Sequence, residues 1–153
     1  MEAHRIFAAL MRYQIECGFA CLPEFSLKNG RRPDICCLGK DGKIILIEVK
    51  SSIADFKSDN KWHVYGEWAD EFYFAVGDDF PVDILPEADQ CGIFITDGFD
   101  VHLFRQAPHK KLAAARRHHL TRRIARAAMM RHYIASLPDE ARIRSATLDK
   151  LDD

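Results

Sequence analysis

Apolar residues at helical spacing open the chain: Ile6, Phe7, Leu10, Met11, Tyr13 and Ile15 predict a helix over residues 2–17, with Gly18 as its stop. Residues 19–27 (FACLPEFSL) read as extended, and Pro23 points to an edge position or a bulge. Asn29-Gly30 marks a turn before a strand over 33–38. The most strongly patterned strand, KIILIEVK at 43–50, follows Lys40-Asp41-Gly42. Ser52 and Asp55 have the spacing of a capping box and predict a helix running to about Ala69. Strands are expected over 71–76 (EFYFAV), 91–96 (CGIFIT) and, past the turn Asp97-Gly98, over 99–105. A long helix is expected from about Lys110 to Ser136, between Pro108 and Pro138. This order predicts a mixed α/β sheet with a helix on each face. It forms one domain over 1–138, followed by a polar tail at 139–153 read as a short helix or a loose end.

Period-two reading of 43–50 puts Ile44, Leu46, Glu48 and Lys50 on one face, and Ile45, Ile47 and Val49 on the other. A strand this apolar is central, so Glu48 and Lys50 carry charge where charge is costly unless paired. The preceding hairpin sharpens the point. A two-residue loop of Lys40-Asp41 would set Asp34 opposite Ile47, and one of Asp41-Gly42 would set it opposite Val49. A three-residue loop, Lys40-Asp41-Gly42, places glycine in the left-handed position and sets Asp34 directly across from Glu48. Two opposed carboxylates repel each other. A hard cation removes that repulsion, and such oxygen donors suit Mg²⁺ or Mn²⁺. Lys50, on the same face, can then hold an attacking water or steady a phosphate. The assembly suits phosphodiester hydrolysis.

Composition agrees with a single core: 48% of the 153 residues are hydrophobic and 29% charged. No apolar run approaches the length of a membrane span, and the start MEAHRIFAALMRYQ lacks a secretory core, so a cytoplasmic protein away from membranes is expected. Five cysteines without a CxxC pair read as reduced, mostly buried small hydrophobes, and no zinc-site spacing occurs. The net charge of −1 conceals an asymmetry. Residues 101–138 hold nine Lys/Arg and no acid, while residues 1–100 hold 10 Lys/Arg against 18 Asp/Glu. A basic helix on an acidic chain fits a polyanion partner, a solvated face or a homodimer contact, and these stay open. Leu112, Leu120, Ile124, Ala127 and Ala128 form its expected buried stripe. Arg116, Arg117 and their neighbours then fan over the outer faces as DNA-binding candidates. Arg31 and Arg32, beside the acid pair, are better placed for phosphate. Trp62, Tyr65 and Trp68 could stack on bases, but packing on the sheet is the favoured reading.

Pro33-Asp34 followed by Glu48-Val49-Lys50 resembles the PD-(D/E)xK motif of the restriction-endonuclease-like superfamily. The order of helix, motif hairpin and helix is similar to that superfamily's core. The resemblance implies a restriction-endonuclease-like core, a central mixed β-sheet flanked by helices, here with a long C-terminal helix. It also implies a metal-dependent nuclease, with Asp34 and Glu48 as metal ligands, the Val49 carbonyl as a further ligand and Lys50 as the catalytic lysine. Members often add an acid from the first helix and a polar residue from the helix after the motif. On that analogy Glu24 is favoured over Glu16 as third acid, and Lys61 and Tyr65 are the second-helix candidates. Longer stretches (LPEFSLKNGRRPDI, IEVKSSIADFKSDNKWHVY, EFYFAVGDDFP and HKKLAAARR) resemble the MmcB family of alphaproteobacterial DNA-repair proteins, over roughly residues 3–135. That likeness implies a DNA-damage role and DNA as partner. Three readings follow: a metal-dependent repair endonuclease, a non-cleaving or partner-dependent DNA-binding module on the same fold, and a structural protein that oligomerises through its basic helix.

Overall fold

The computed structural model describes residues 1–139; positions 140–153 of the expected tail lie outside the described residues. Six strands form one sheet in chain order: β1 (Ala20–Pro23), β2 (Ile35–Leu38), β3 (Ile44–Lys50), β4 (Glu71–Gly77), β5 (Gly92–Thr96) and β6 (Val101–Arg105). Strands β1 to β3 make an antiparallel meander, β4 and β5 run parallel to β3, and β6 returns antiparallel. Helices α1 (Ala3–Glu16), α2 (Ile53–Ser58) and α3 (Ala114–Ser136) complete the fold.

Both faces of the central strands are apolar, so both need cover. Ile45, Ile47 and Val49 of β3 pack with Tyr73, Ala75 and Phe94 beneath Ile6 and Leu10 of α1. Ile44 and Leu46 face the other way, into a core with Phe72, Phe74 and Val76 closed by Tyr65 and by Leu120 and Ile124 of α3. Cys36 and Cys37 divide between these two cores, as adjacent strand residues must. Among the described residues no helix is long and apolar enough to cross a membrane.

The hairpin between β2 and β3 uses the three-residue loop. The Gly39 amide donates to the Lys43 carbonyl at 2.8 Å, and Gly42 takes φ +84°. β1 lies at the sheet edge, where Pro23 is tolerated. A second glycine matters for packing: a Cβ on Gly92 would stand 2.3 Å from the Tyr73 ring.

Several sequence expectations need correction. The extended stretch 19–27 is a strand only over Ala20–Pro23, because Glu24 turns into the left-handed region at φ 48°. The helix expected from Ser52 to Ala69 is two pieces, α2 and a 3₁₀ segment at Trp62–Glu67. Asp59 breaks it: its carboxylate accepts the Lys61 amide at 2.9 Å, a local bond that competes with the helical one. α3 begins at Ala114 rather than near Lys110. The preceding segment is held by Asp70, whose carbonyl accepts the Lys110 amide and whose carboxylate accepts the Leu112 amide. In the buried stripe of α3, Ala128 is exposed and Ala127 half-buried, leaving Leu120 and Ile124 as its buried residues.

Candidate active site

β3 ends on two charged residues facing the α3 side of the sheet. The β2–β3 register pairs Ile35 with Ile47, which carries Asp34, one residue before β2, to the position opposite Glu48. The Val49 amide donates to Asp34 Oδ2 at 2.7 Å, fixing that carboxylate across the hairpin mouth. On its other side the Asp34 carbonyl accepts the Glu24 amide at 2.9 Å. Asp34 is thus gripped by both neighbouring strands.

Burial is the largest cause raising both carboxyl pKa values. Desolvation, then the charge of Asp34, pushes Glu48 up to about 7, with Lys50 opposing. Desolvation also raises Asp34, against the pull of the Val49 amide and Lys50. Glu48 Oε1 sits 3.3 Å from Lys50 Nζ, while its Oε2 is buried without a hydrogen-bond partner. A native fold rarely leaves such an atom unsatisfied.

Lys50 is almost fully buried and stays charged because it is surrounded by acids. Its ammonium lies 2.8 Å from Asp59, 3.3 Å from Glu48 and 4.0 Å from Asp55. Burial alone lowers its pKa, but the bond to Asp59 and the three carboxylate charges outweigh that and leave it above the ordinary lysine value. Asp55 is anchored in turn by the Ser51 amide and hydroxyl, at 3.0 and 3.2 Å. The sequence reading saw Asp55 only as a cap and missed Asp59. The available signal was Lys50 itself, a cation on a buried face that required a counter-charge.

The other expected residues divide. Tyr65 is buried, and desolvation followed by the charges of Glu48, Asp59 and Asp34 raises its pKa, so its hydroxyl borders the site. Arg31 lies close enough to lower the pKa of Asp59. Lys61 is exposed at the start of the 3₁₀ segment. Glu24 is also exposed and pairs with Arg32 at 3.6 Å, though its charge still raises Asp34. Glu16 belongs to α1, which packs on the opposite face of the sheet from Glu48. Among the described residues no three acid, histidine or cysteine side chains gather into a metal cluster.

Arg116 stays on the exposed face of α3, whereas Arg117 turns inward. Arg117 grips both oxygens of buried Asp70 and also donates to the Gly42 carbonyl at 2.7 Å. Arg116 donates to the Glu67 carbonyl at 2.7 Å and lies over the Trp68 ring. A buried carboxylate at position 70 demands a cation, and α3 supplies it. Trp62 packs rather than presents itself, stacked on Phe72 at 6.4 Å.

The donor set fits a divalent cation. Two opposed carboxylates, one with an unsatisfied buried oxygen, are the hard oxygen ligands that Mg²⁺ and Mn²⁺ take. Mg²⁺ commonly uses only one or two carboxylates and fills its remaining positions with water and substrate phosphate.

A three-stranded meander, a parallel continuation and a flanking helix on each face make this an α/β protein built on a mixed six-stranded sheet. The chain belongs to the MmcB-like family of DNA repair proteins, whose model matches residues 1–139. A solved structure of a protein of unknown function from Silicibacter pomeroyi is 35% identical, with a TM-score of 0.78 over 100% of this chain and 95% of that one. A repair endonuclease from Pyrococcus abyssi matches at 19% identity and a TM-score of 0.33, over 64% of this chain and 41% of that one, a superposition too loose to bear on function. The comparison with curated proteins finds no match.

Proposed function

We propose that this DNA-repair family member hydrolyses phosphodiester bonds in DNA. In this reading Asp34 and Glu48 hold Mg²⁺ or Mn²⁺, aided by the Val49 carbonyl. The observation that carries it is the half-buried, opposed acid pair beside a buried lysine, with one Glu48 oxygen left unpartnered, an arrangement that costs stability. Bound at the acid pair, the cation supplies Lewis acidity and charge neutralisation at the scissile phosphate. Lys50, steered by Asp59, directs its ammonium at the attacking water or a phosphate oxygen. Arg31 and Arg32 contribute positive charge at the mouth, where the DNA backbone enters. Purified protein is expected to nick or trim DNA with Mg²⁺ or Mn²⁺ and to stop in EDTA. Absence of cleavage on duplex, nicked, branched and single-stranded DNA sinks the proposal.

The raised Glu48 pKa adds a prediction. Below about pH 7 each cation must displace the proton on Glu48. Mn²⁺ affinity, followed by the loss of free-ion paramagnetic resonance, is therefore expected to climb roughly tenfold per pH unit up to about 7 and then level off. A flat profile from pH 5 to 8 removes Glu48 from the ligand set.

One observation favours a second reading, a DNA-binding module that acts only with a partner. Lys50 is already committed to Asp59 and Glu48 and is nearly sealed from solvent. Gel-shift binding that survives EDTA, without cleavage until a partner is added, distinguishes this case.

A further inference from the structure

Away from the acid pair, the fold brings a second reactive pair together. Cys21 of β1 and Cys37 of β2 are directly opposed in the ladder, with their sulfurs 3.5 Å apart. The Glu24–Asp34 bond marks a hydrogen-bonded pair on the same ladder. Counting down by alternation makes Cys21 and Cys37 a non-hydrogen-bonded pair, whose Cα atoms stand about 4.5 Å apart. That spacing lies inside the range a disulfide spans, so closing the bond requires little backbone movement.

The two thiols differ in the way a sensing pair needs. Cys37 is fully buried, on the α1 side of the sheet, whereas Cys21 sits half-buried on the edge strand. The contact with Cys37 lowers the Cys21 pKa and raises that of Cys37, so the thiolate forms on the accessible member. Cys36 points to the opposite core, and Cys17 is exposed beyond the end of α1.

We propose that Cys21 and Cys37 are a peroxide-responsive dithiol that closes into a cross-strand disulfide. The Cys21 thiolate attacks one oxygen of hydrogen peroxide; the O–O bond breaks, and the departing hydroxide leaves as water with the thiol proton. Cys21 is then a sulfenic acid. Cys37 Sγ attacks that sulfur, the S–O bond breaks, and hydroxide leaves as water with the Cys37 proton as the S–S bond forms. Two thiols are oxidised and one peroxide is reduced to two waters. The cross-link ties the edge strand to β2, three residue pairs from the Glu24–Asp34 bond that grips the candidate metal ligand. The proposal stands independently of nuclease activity.

The test uses the full chain exposed to hydrogen peroxide, followed by alkylation of remaining thiols and peptide mass spectrometry. A Cys21–Cys37 linked peptide is expected in most chains. It should be reversed by dithiothreitol, lost in Cys21→Ala and Cys37→Ala, and retained in Cys17→Ala. If Cys37→Ala fails to fold, Cys21→Ala at the half-buried position carries the comparison. Cys21 recovered as sulfinic acid with Cys37 still alkylated, or linked instead to Cys17, overturns the proposal.

Discussion

Glu48→Gln is expected to lose DNA cleavage by about 10³-fold or more while making the metal-free protein more stable at pH 8. The two effects share one cause. Glu48 is half-buried opposite Asp34, with one buried oxygen unsatisfied, and its pKa is pushed from 4.5 to about 7. A carboxyl whose folded pKa exceeds its unfolded value stabilises the fold below the unfolded pKa, and that stability is lost as pH rises through the folded pKa. For Glu48 the window runs from 4.5 to about 7. Ionisation above it costs on the order of 3 kcal/mol, which glutamine avoids. Glutamine also lacks the charge to hold a divalent cation, so the activity term falls by several kcal/mol. Urea melts at pH 5 and pH 8, alongside a cleavage assay, check both halves. Asp34→Asn is expected to follow in activity. A variant that cleaves normally, or that is less stable at pH 8, contradicts the assignment.

Arg117→Met is expected to give the largest loss of stability of any single change on α3, about 3–5 kcal/mol, because it leaves the Asp70 carboxylate buried and unpaired. Asp70, just before β4, ties β3, the segment before α3 and α3 itself into one knot. It accepts the Ile44 amide at the start of β3 and the Leu112 amide before α3, and it pairs with Arg117. Its backbone also bonds Ile44 and Lys110. Desolvation opposes ionisation, but Arg117 and the two amides override it and hold the Asp70 pKa near 2, against an ordinary 3.8. The sign here is opposite to that of Glu48. This stabilisation is present above pH 3.8 and is lost as pH falls through about 2, to the extent of roughly 2 kcal/mol. The expected drop in Tm is roughly 10 °C. Adding Asp70→Asn to Arg117→Met should restore part of it, since the stranded charge is gone. An unchanged Tm in the single variant shows that the ion pair contributes nothing.

The hairpin was legible because its determinants are local. Gly42 supplies a left-handed residue where a three-residue loop needs one, and that register alone sets Asp34 opposite Glu48. The alternation of 44–50 likewise assigns each residue to its core without reference to distant parts of the chain. The misread features depend on remote partners. Arg117 looks like any arginine on a basic helix until Asp70, 47 residues earlier, is found buried beneath it. Asp59 sits in what periodicity presents as the middle of a helix. Its side chain instead turns to Lys50 and bonds the Lys61 amide, and those two bonds break the helix. The pattern places Glu24 on the first strand, but the chain turns left-handed there and its exposed side chain pairs with Arg32. Local turn chemistry and strand period are thus readable from sequence, whereas long-range charge pairing is not.

A crystal soaked in Mn²⁺ and measured at the manganese absorption edge tests the central claim most directly. The account predicts one anomalous peak between the carboxylates of Asp34 and Glu48, within coordination distance of both and of the Val49 carbonyl, and none in Glu48→Gln. A wild-type crystal at millimolar Mn²⁺ and pH 8 with no peak there, or with its peak elsewhere, contradicts it.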